Sequence, residues 1–502
     1  MRTLYRASRV HTLAHPRTGE WVLVDGRHVE RVGTGEPPEA DRVVELPGTT
    51  ILPGFVDAHV HLTGTGIHHR AARIAESRSI GELLDALDEI VAARSGPVLV
   101  HGFDESGWPE RRAPTLEELD RITDAPLAVV RTDGHVTHAN ARAIEDAGLG
   151  GVEGVELDAA GAATGRLVRQ ANARIQRWFH EHLDAREVEE LQLAAASLAV
   201  AHGVTCVHEM SMIRERGVRD LQILLGHRDR LPLDVVVYPA TTDIPQAIDL
   251  GLPRIGGDLP MDGSIGARTA CVSEPFVDGG AGSAYLADDE LVEFLHAGHL
   301  AGLQVGVHAI GDLAIDQVVT AWERVYTTLD SRGRRHFRAR RHRIEHFEMP
   351  SPDAIERAAA LGLAIGVQPS FDAAWGGPGA LYEQALGPER ARAMNPFRSL
   401  LERGLELGAG SDSPITSLDP WAGVAAFERH HDPAERLPRE DALRVSTLGA
   451  ARLAHLEDKK GSLEPGRHAD LVAYDVDPLV EPDVVGIAPV LTVSLGREVF
   501  SR

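Results

Sequence analysis

Two histidines one residue apart, His59 and His61, close the apolar run of LPGFVDAHVHL, residues 52–62. Phe55, Val56, Ala58 and Val60 read as a short buried strand. Strand residues i and i+2 point to one face, about 6.6–6.8 Å apart. Two imidazoles so placed can converge on one cation, or can simply hydrogen-bond to backbone. The rest of the chain decides between these. Other short apolar runs end in, or lead into, His208 and Glu209, Asp262, His308, His346 and Asp412. Imidazole nitrogen and carboxylate oxygen are the usual non-sulfur ligands of zinc. Chance does not gather so many metal-binding side chains at the same end of successive strands, so a metal centre is expected.

The elements that must position these residues alternate. Eight candidate strands run through FVDAHVH, GVTCVHE (203–209), LDVVVYP (233–239), DLPMDG (258–263), LQVGVHAIGD (303–312), HRIEHF (342–347), LAIGVQPS (363–370) and LELGAGSD (405–412). Helical stretches at 287–301, 313–329 and 352–361 lie between several of them. Strands alternating with helices eight times describe an α/β fold of the (β/α)8 TIM-barrel type, whose sites form at the C-terminal strand ends. DLPMDG is the weakest of the eight, because Pro260 interrupts it. Residues 63–200 are too many for one connecting helix. They form an insertion after strand one, with strand-like pieces at 97–103 and 126–132 and helices near 79–93 and 185–201. It is expected to lie over the barrel mouth. Both ends of the chain are β-rich, with a turn at Asp25-Gly26. The expected organisation is a small β-sandwich domain from 1–53 and 460–502, and a barrel over 54–459.

Composition narrows the function. A net charge of −24 argues against nucleic acid and anionic membranes as partners and leaves a small-molecule substrate. No run approaches 18 consecutive apolar residues, so no membrane span is expected. Two cysteines, Cys206 and Cys271, are no disulfide framework and fit a reducing, cytoplasmic setting. The basic run RGRRHFRARRHR (332–343) reads as a solvated connection. Lysine occurs only at Lys459 and Lys460.

The motifs LPGFVDAHVHL, VHAIGD, RIEHF, GSDSPI and GSLEPGRHADLVAYDVDP together resemble the amidohydrolase superfamily of metal-dependent hydrolases. RTDGHVTHAN (131–140) and DGSIGARTA (262–270) are similar to the branch that contains N-substituted formamide deformylase. The resemblance covers nearly the whole chain. It implies that His59 and His61 are the paired ligands of strand one. His308 and His346 match the histidines of strands five and six. Asp412 matches the strand-eight aspartate that binds metal and shuttles the proton. Many two-metal members bridge their ions with a carboxylated lysine at strand four. That lysine is absent here, and Asp258 stands in its place. Asp258 or Glu209 is then a substitute bridge, or the site holds one ion on His59, His61, His308 and Asp412, with His346 orienting water or substrate. The short arm of Asp258 favours one ion. Zinc is the expected metal, with Mn2+ or Fe2+ as alternatives.

The chemistry implied is hydrolysis of a carbon–nitrogen bond other than a peptide bond, of an N-acyl or N-formyl amide by resemblance. Metal lowers the pKa of water toward about 7. Asp412 serves as general base and then as acid to the leaving nitrogen. Two rivals stand beside this reading: a deaminase of a heterocyclic amidine using the same ligands, and a metal-free barrel that only binds. His135 and Asp133 are candidate substrate contacts, the alternative being an Asp-Gly turn with an ordinary histidine. Trp108 is a candidate apolar wall of the pocket, or else a loop anchor. Glu209 is a ligand or the partner of an arginine. Asn140 is expected to cap the helix starting near Ala141. Relatives often dimerise, so a homodimer is compatible with this reading.

Overall fold

The computed structural model describes residues 1–70, 73–93 and 96–502. Its centre is a ring of short parallel strands: β1 (Phe55–Val60), β2 (Val204–Ser211), β3 (Asp234–Pro239), β4 (Arg254–Ile255), β5 (Gln304–Ala309), β6 (Arg343–His346), β7 (Ala364–Val367) and β8 (Glu406–Ala409). Parallel ladders join β1 to β2, β2 to β3, and β4 through β8 in succession. Two seams close the ring. Gly256 N donates to Pro239 O at 2.9 Å between β3 and β4. Asp412 N donates to His59 O at 2.7 Å, and His61 N to Ser413 O at 2.9 Å, between β8 and β1.

The ring strands read as apolar runs because both faces are covered. Every residue of β1, β2 and β5 is buried. Helices Asp288–Leu300, Asp312–Thr328 and Pro352–Leu361 lie where the helical patterns fell. Their apolar stripes, with Leu295, Val318 and Ile355, share one core with Val305, Val307 and Ile344 of the strands. Most of the basic run is the solvated helix Ser331–Arg340, of which only Phe337 is buried, but its last two residues, His342 and Arg343, are buried rather than solvated.

Strand four departs from the sequence expectation. The ladder holds only Arg254–Ile255, and 258–263 runs beside β5 with a single bridge at Pro260. Proline offers no N–H to a ladder. Just before it, Gly256 and Gly257 take positive φ of 84° and 59°. A Cβ on Gly256 would sit 2.0 Å from the Gly306 carbonyl oxygen. The missing side chains let this segment press against β5, and that carries Asp258 inward.

Strands from both ends of the chain share one sheet. Strands Arg2–His11, Thr18–Asp25, His28–Gly33, Arg42–Pro53, Leu471–Tyr474, Leu491–Ser494 and Arg497–Ser501 form one seven-stranded sheet. Val22 and Val24 share a core with Leu471, Ala473 and Val493 from the far half, so the sheet folds over itself. The insertion has its own five-stranded sheet, including Val98–Phe103 and Leu127–Arg131 at the predicted positions. Asn140 caps the helix Ala141–Asp146, accepting from Ala143 N at 3.0 Å.

One of the two lysines staples sheet to ring. Lys460, 1% exposed, donates to Asp470 at 2.6 Å beside Leu471–Tyr474 and lies 3.4 Å from Asp234 of β3. Removing one partner of a buried ion pair strands the other charge. Lys460→Met is expected to cost about 3–5 kcal/mol, read as a lower urea midpoint. An unchanged midpoint would show that the pair is dispensable.

Candidate metal centre and active site

The predicted ligands come together. His61 Nε2 lies 3.0 Å and His59 Nε2 3.4 Å from Asp412 Oδ1. His308 Nδ1 and His346 Nε2 lie 3.1 and 3.3 Å from Asp258 Oδ1. The other oxygen of Asp258 lies 3.6 Å from His61 Nε2 and 3.8 Å from His59 Nε2. Asp258 therefore reaches all four imidazoles. Its arm is short, but the glycine-permitted path of 256–258 supplies the reach that the side chain lacks.

Strain accompanies this convergence. His346 and Asp412 hold φ of 71° and 55°, a left-handed conformation that ordinary residues adopt rarely and at a cost. His346 ends the β6 ladder, and Asp412 lies three residues beyond the end of β8. Burial disfavours the charged ring of His59, yet Asp412 and Asp258 outweigh it and hold the imidazole well above its ordinary range. Burial likewise opposes the charge on Asp258, and His59, His308 and His346 overturn that effect, keeping the carboxylate well below the usual range.

The second ring nitrogens are tied off. His61 Nδ1 lies 2.8 Å from Met210 O, which as an acceptor directs Nε2 to the centre. His59 Nδ1 lies 3.1 Å from Glu345 Oε2. Arg343, fully buried, holds Glu345 at 2.8 Å and reaches back to Ala58 O at 3.0 Å. Such partners fix tautomer and ring orientation in metal-binding histidines. Sequence reasoning missed this relay. Its signal was the R-x-E spacing in RIEHF, which puts Arg343 and Glu345 on one strand face. The fit to a cation is visible in unsatisfied atoms. Buried His59 Nε2, His346 Nδ1 and Asp412 Oδ1 have no hydrogen-bond partner among the described residues, and atoms of those three residues lie within 4.8 Å of one another.

Other predicted residues separate. Glu209 does not join the cluster: its oxygens accept from Leu62 N at 2.7 Å and Ser211 Oγ at 3.1 Å. It has no arginine partner among the described residues either. Asp262 is spent on backbone, accepting from Cys271, Ile310 and Gly311 at 2.8, 3.0 and 2.8 Å. Trp108 does not face the pocket. It is buried in the insertion's core beside Phe103, and its Nε1 donates to Ser77 O at 2.9 Å, so it is the loop anchor. His135 and Asp133 do line the cavity. The His135 ring sits 5.5 Å from that of His308, and burial pulls its pKa down to about 4. Asp133 ties the insertion to the mouth through Arg131 and Ser264, each at 2.8 Å.

The cavity over the centre holds about 1120 Å³ including its opening. Phe371, Trp375 and Tyr382 form the apolar wall that Trp108 does not. Phe371 stacks on His346 with ring centroids 5.9 Å apart. No described helix is long and apolar enough to cross a membrane.

A closed parallel ring with this centre at its mouth defines a class. Residues 42–500 match the amidohydrolase family model. N-substituted formamide deformylase from Arthrobacter pascens is 25% identical over 91% of this chain and 90% of its own length. Protein LONG AFTER FAR-RED 3 from Arabidopsis thaliana is 27% identical over 86% of this chain and 78% of its own. An uncharacterized metal-dependent hydrolase from Pyrococcus furiosus, known by crystal structure, aligns with a TM-score of 0.74 at 26% identity, over 95% of this chain and all of that one. The chain belongs to the amidohydrolase family, enzymes that hydrolyse carbon–nitrogen bonds other than peptide bonds.

If Glu345 fixes His59 for metal, Glu345→Gln lowers metal affinity by about 10–100-fold, measured by competition with a chromogenic chelator. Unchanged affinity removes Glu345 from the metal site's support.

Proposed function

We propose that this protein is a hydrolase of N-acyl or N-formyl amides, built on a (β/α)8 barrel with a folded-over terminal sheet as its small domain. The observation that carries the reading is the cluster of buried atoms on His59, His346 and Asp412 at the ring mouth that make no hydrogen bond. Such groups are costly to bury unsatisfied, and a divalent ion satisfies them. Similarity to a formamide deformylase supports the bond type.

His59, His61, His308, His346 and Asp412 would hold the metal, with Asp258 between the two histidine pairs. Zinc suits these nitrogen and oxygen donors, and Mn2+ or Fe2+ are the alternatives. The sequence favoured one ion because an aspartate arm is short. Asp258 lies within 3.8 Å of all four rings, so it would serve as a ligand alongside both histidine pairs if two ions were held. Bound metal supplies polarisation of the carbonyl and acidification of a water.

The chain's residues do the rest. Asp412 accepts a proton from the attacking water on a carboxylate oxygen and returns it to the leaving nitrogen. His59 and His61, within 3.4 Å of that carboxylate, steady its charge. Neutral His135 faces the site beside His308 and hydrogen-bonds substrate, while Asp133 holds its loop. The insertion excludes bulk water, so the fixed dipoles act in a low dielectric.

Three measurements test this. Metal-loaded protein should hydrolyse members of an N-formyl and N-acetyl amide panel, releasing carboxylate. Asp412→Asn should lower kcat by about 10²–10⁴. Protein purified without chelator should carry about two ions per chain by elemental analysis, falling to about one in Asp258→Asn, as expected of a shared bridging carboxylate. Release of ammonia from amidines without amide hydrolysis would favour a deaminase. Full turnover in Asp412→Asn would remove its proton role.

A further inference from the structure

Three arginines are buried among the described residues: Arg131, Arg216 and Arg343. Two are neutralised. Arg131 meets Asp104, Glu105 and Asp133 at 3.2, 3.0 and 2.8 Å, and Arg343 meets Glu345 at 2.8 Å. Arg216, 6% exposed, has no ion pair and its guanidinium no hydrogen bond among the described residues. On its helix, Asp220 spends Oδ1 on Thr63 Oγ1 at 2.8 Å, and neither it nor Glu215 forms an ion pair with Arg216. Nε and NH1 of Arg216 are fully buried without partners.

The place of this cation matters. Arg216 lines the same cavity as His61, Asp258, His308 and Asp412. A Cβ on Gly64 would sit 2.4 Å from Arg216 NH2 and 3.4 Å from Pro414 Cδ. The guanidinium thus occupies space opened by a glycine three residues after His61 and beside a proline two residues after Asp412. An unpaired charge buried there is costly unless something of opposite sign completes it. Among the described residues no acid forms an ion pair with it, although Asp220 and Glu215 lie near enough to feel its charge.

We propose that Arg216 is the anion subsite of the active-site cavity, and that the substrate is an amide carrying a carboxylate away from the scissile bond. This rests on the hydrolase reading and adds the substrate's charge to it. A guanidinium N–H donates a charge-assisted hydrogen bond to a carboxylate. One guanidinium supplies one positive charge. The cavity also holds Asp258, Asp412 and Glu215, so a dianionic phosphate meets more repulsion than a monoanionic carboxylate does.

The test compares N-acetyl amino acids with their primary amides, in the metal-loaded enzyme and in Arg216→Gln. Calorimetric binding and turnover are read separately. Wild type should bind the carboxylates at least about tenfold tighter than the amides, as a paired, charge-assisted contact predicts. In Arg216→Gln the two forms should bind about equally, with neutral amides bound as before. Melting should not fall, because the substitution removes an unpaired buried charge. A carboxylate preference that survives in Arg216→Gln places the anion on the metal centre and overturns the proposal. So does absence of any preference in wild type, or tighter binding of phosphorylated analogues. An Arg216-dependent preference without hydrolysis of any panel member keeps the anion subsite and defeats the hydrolase reading.

Discussion

Two carboxylates and four imidazoles share one buried space at the mouth of the ring, and the rest of the structure answers to that crowding. Asp258 and Asp412 each lie within 4.0 Å of His59, His61 or His346, away from water. Like charges held this close in a low dielectric repel strongly. The rings between them, and the cation their free atoms invite, make the arrangement tenable. Strained backbone at His346 and Asp412 is sustained because the surrounding ladders and seams fix those residues on all sides.

The scaffold meets this demand in layers. Parallel strands give each ligand a rigid origin, and both seams of the ring lie next to ligand residues. Beneath the ligands, Glu345 and Arg343 form a neutral buried pair that spends its charge on orienting His59. Above them, the insertion brings His135 and closes the cavity. At the base, Lys460 locks the terminal sheet to β3, far from the chemistry. The same residue type serves different ends by environment: Arg343 and Arg131 are neutralised, whereas Arg216 lines the cavity with no ion pair among the described residues.

Much of this was legible in advance. The period-two placement of His59 and His61, and polar residues closing successive apolar runs, announced the ring and the imidazoles and carboxylates gathered at its mouth, because strand alternation is a local rule. The helix boundaries near 287–301 and 352–361 followed from periodicity. Strand four was not legible, since two glycines and a proline replaced most of the ladder with a close approach that depends on Gly306 of β5. The sequence left Trp108 open between pocket wall and loop anchor, because an apolar side chain suits a core or a cavity equally well. Glu209 misled because a carboxylate's partners here are a backbone N–H and a hydroxyl contributed by the fold.

The order of ligand types along the chain, the family and the absence of a bridging lysine were determined by sequence alone, because they depend on residue identity and short-range spacing. The reach of Asp258, the Arg343–Glu345–His59 relay and the unpaired state of Arg216 were decided by tertiary structure. Each depends on distances between segments far apart in the chain, and composition or periodicity carries no record of which charges meet once those segments close.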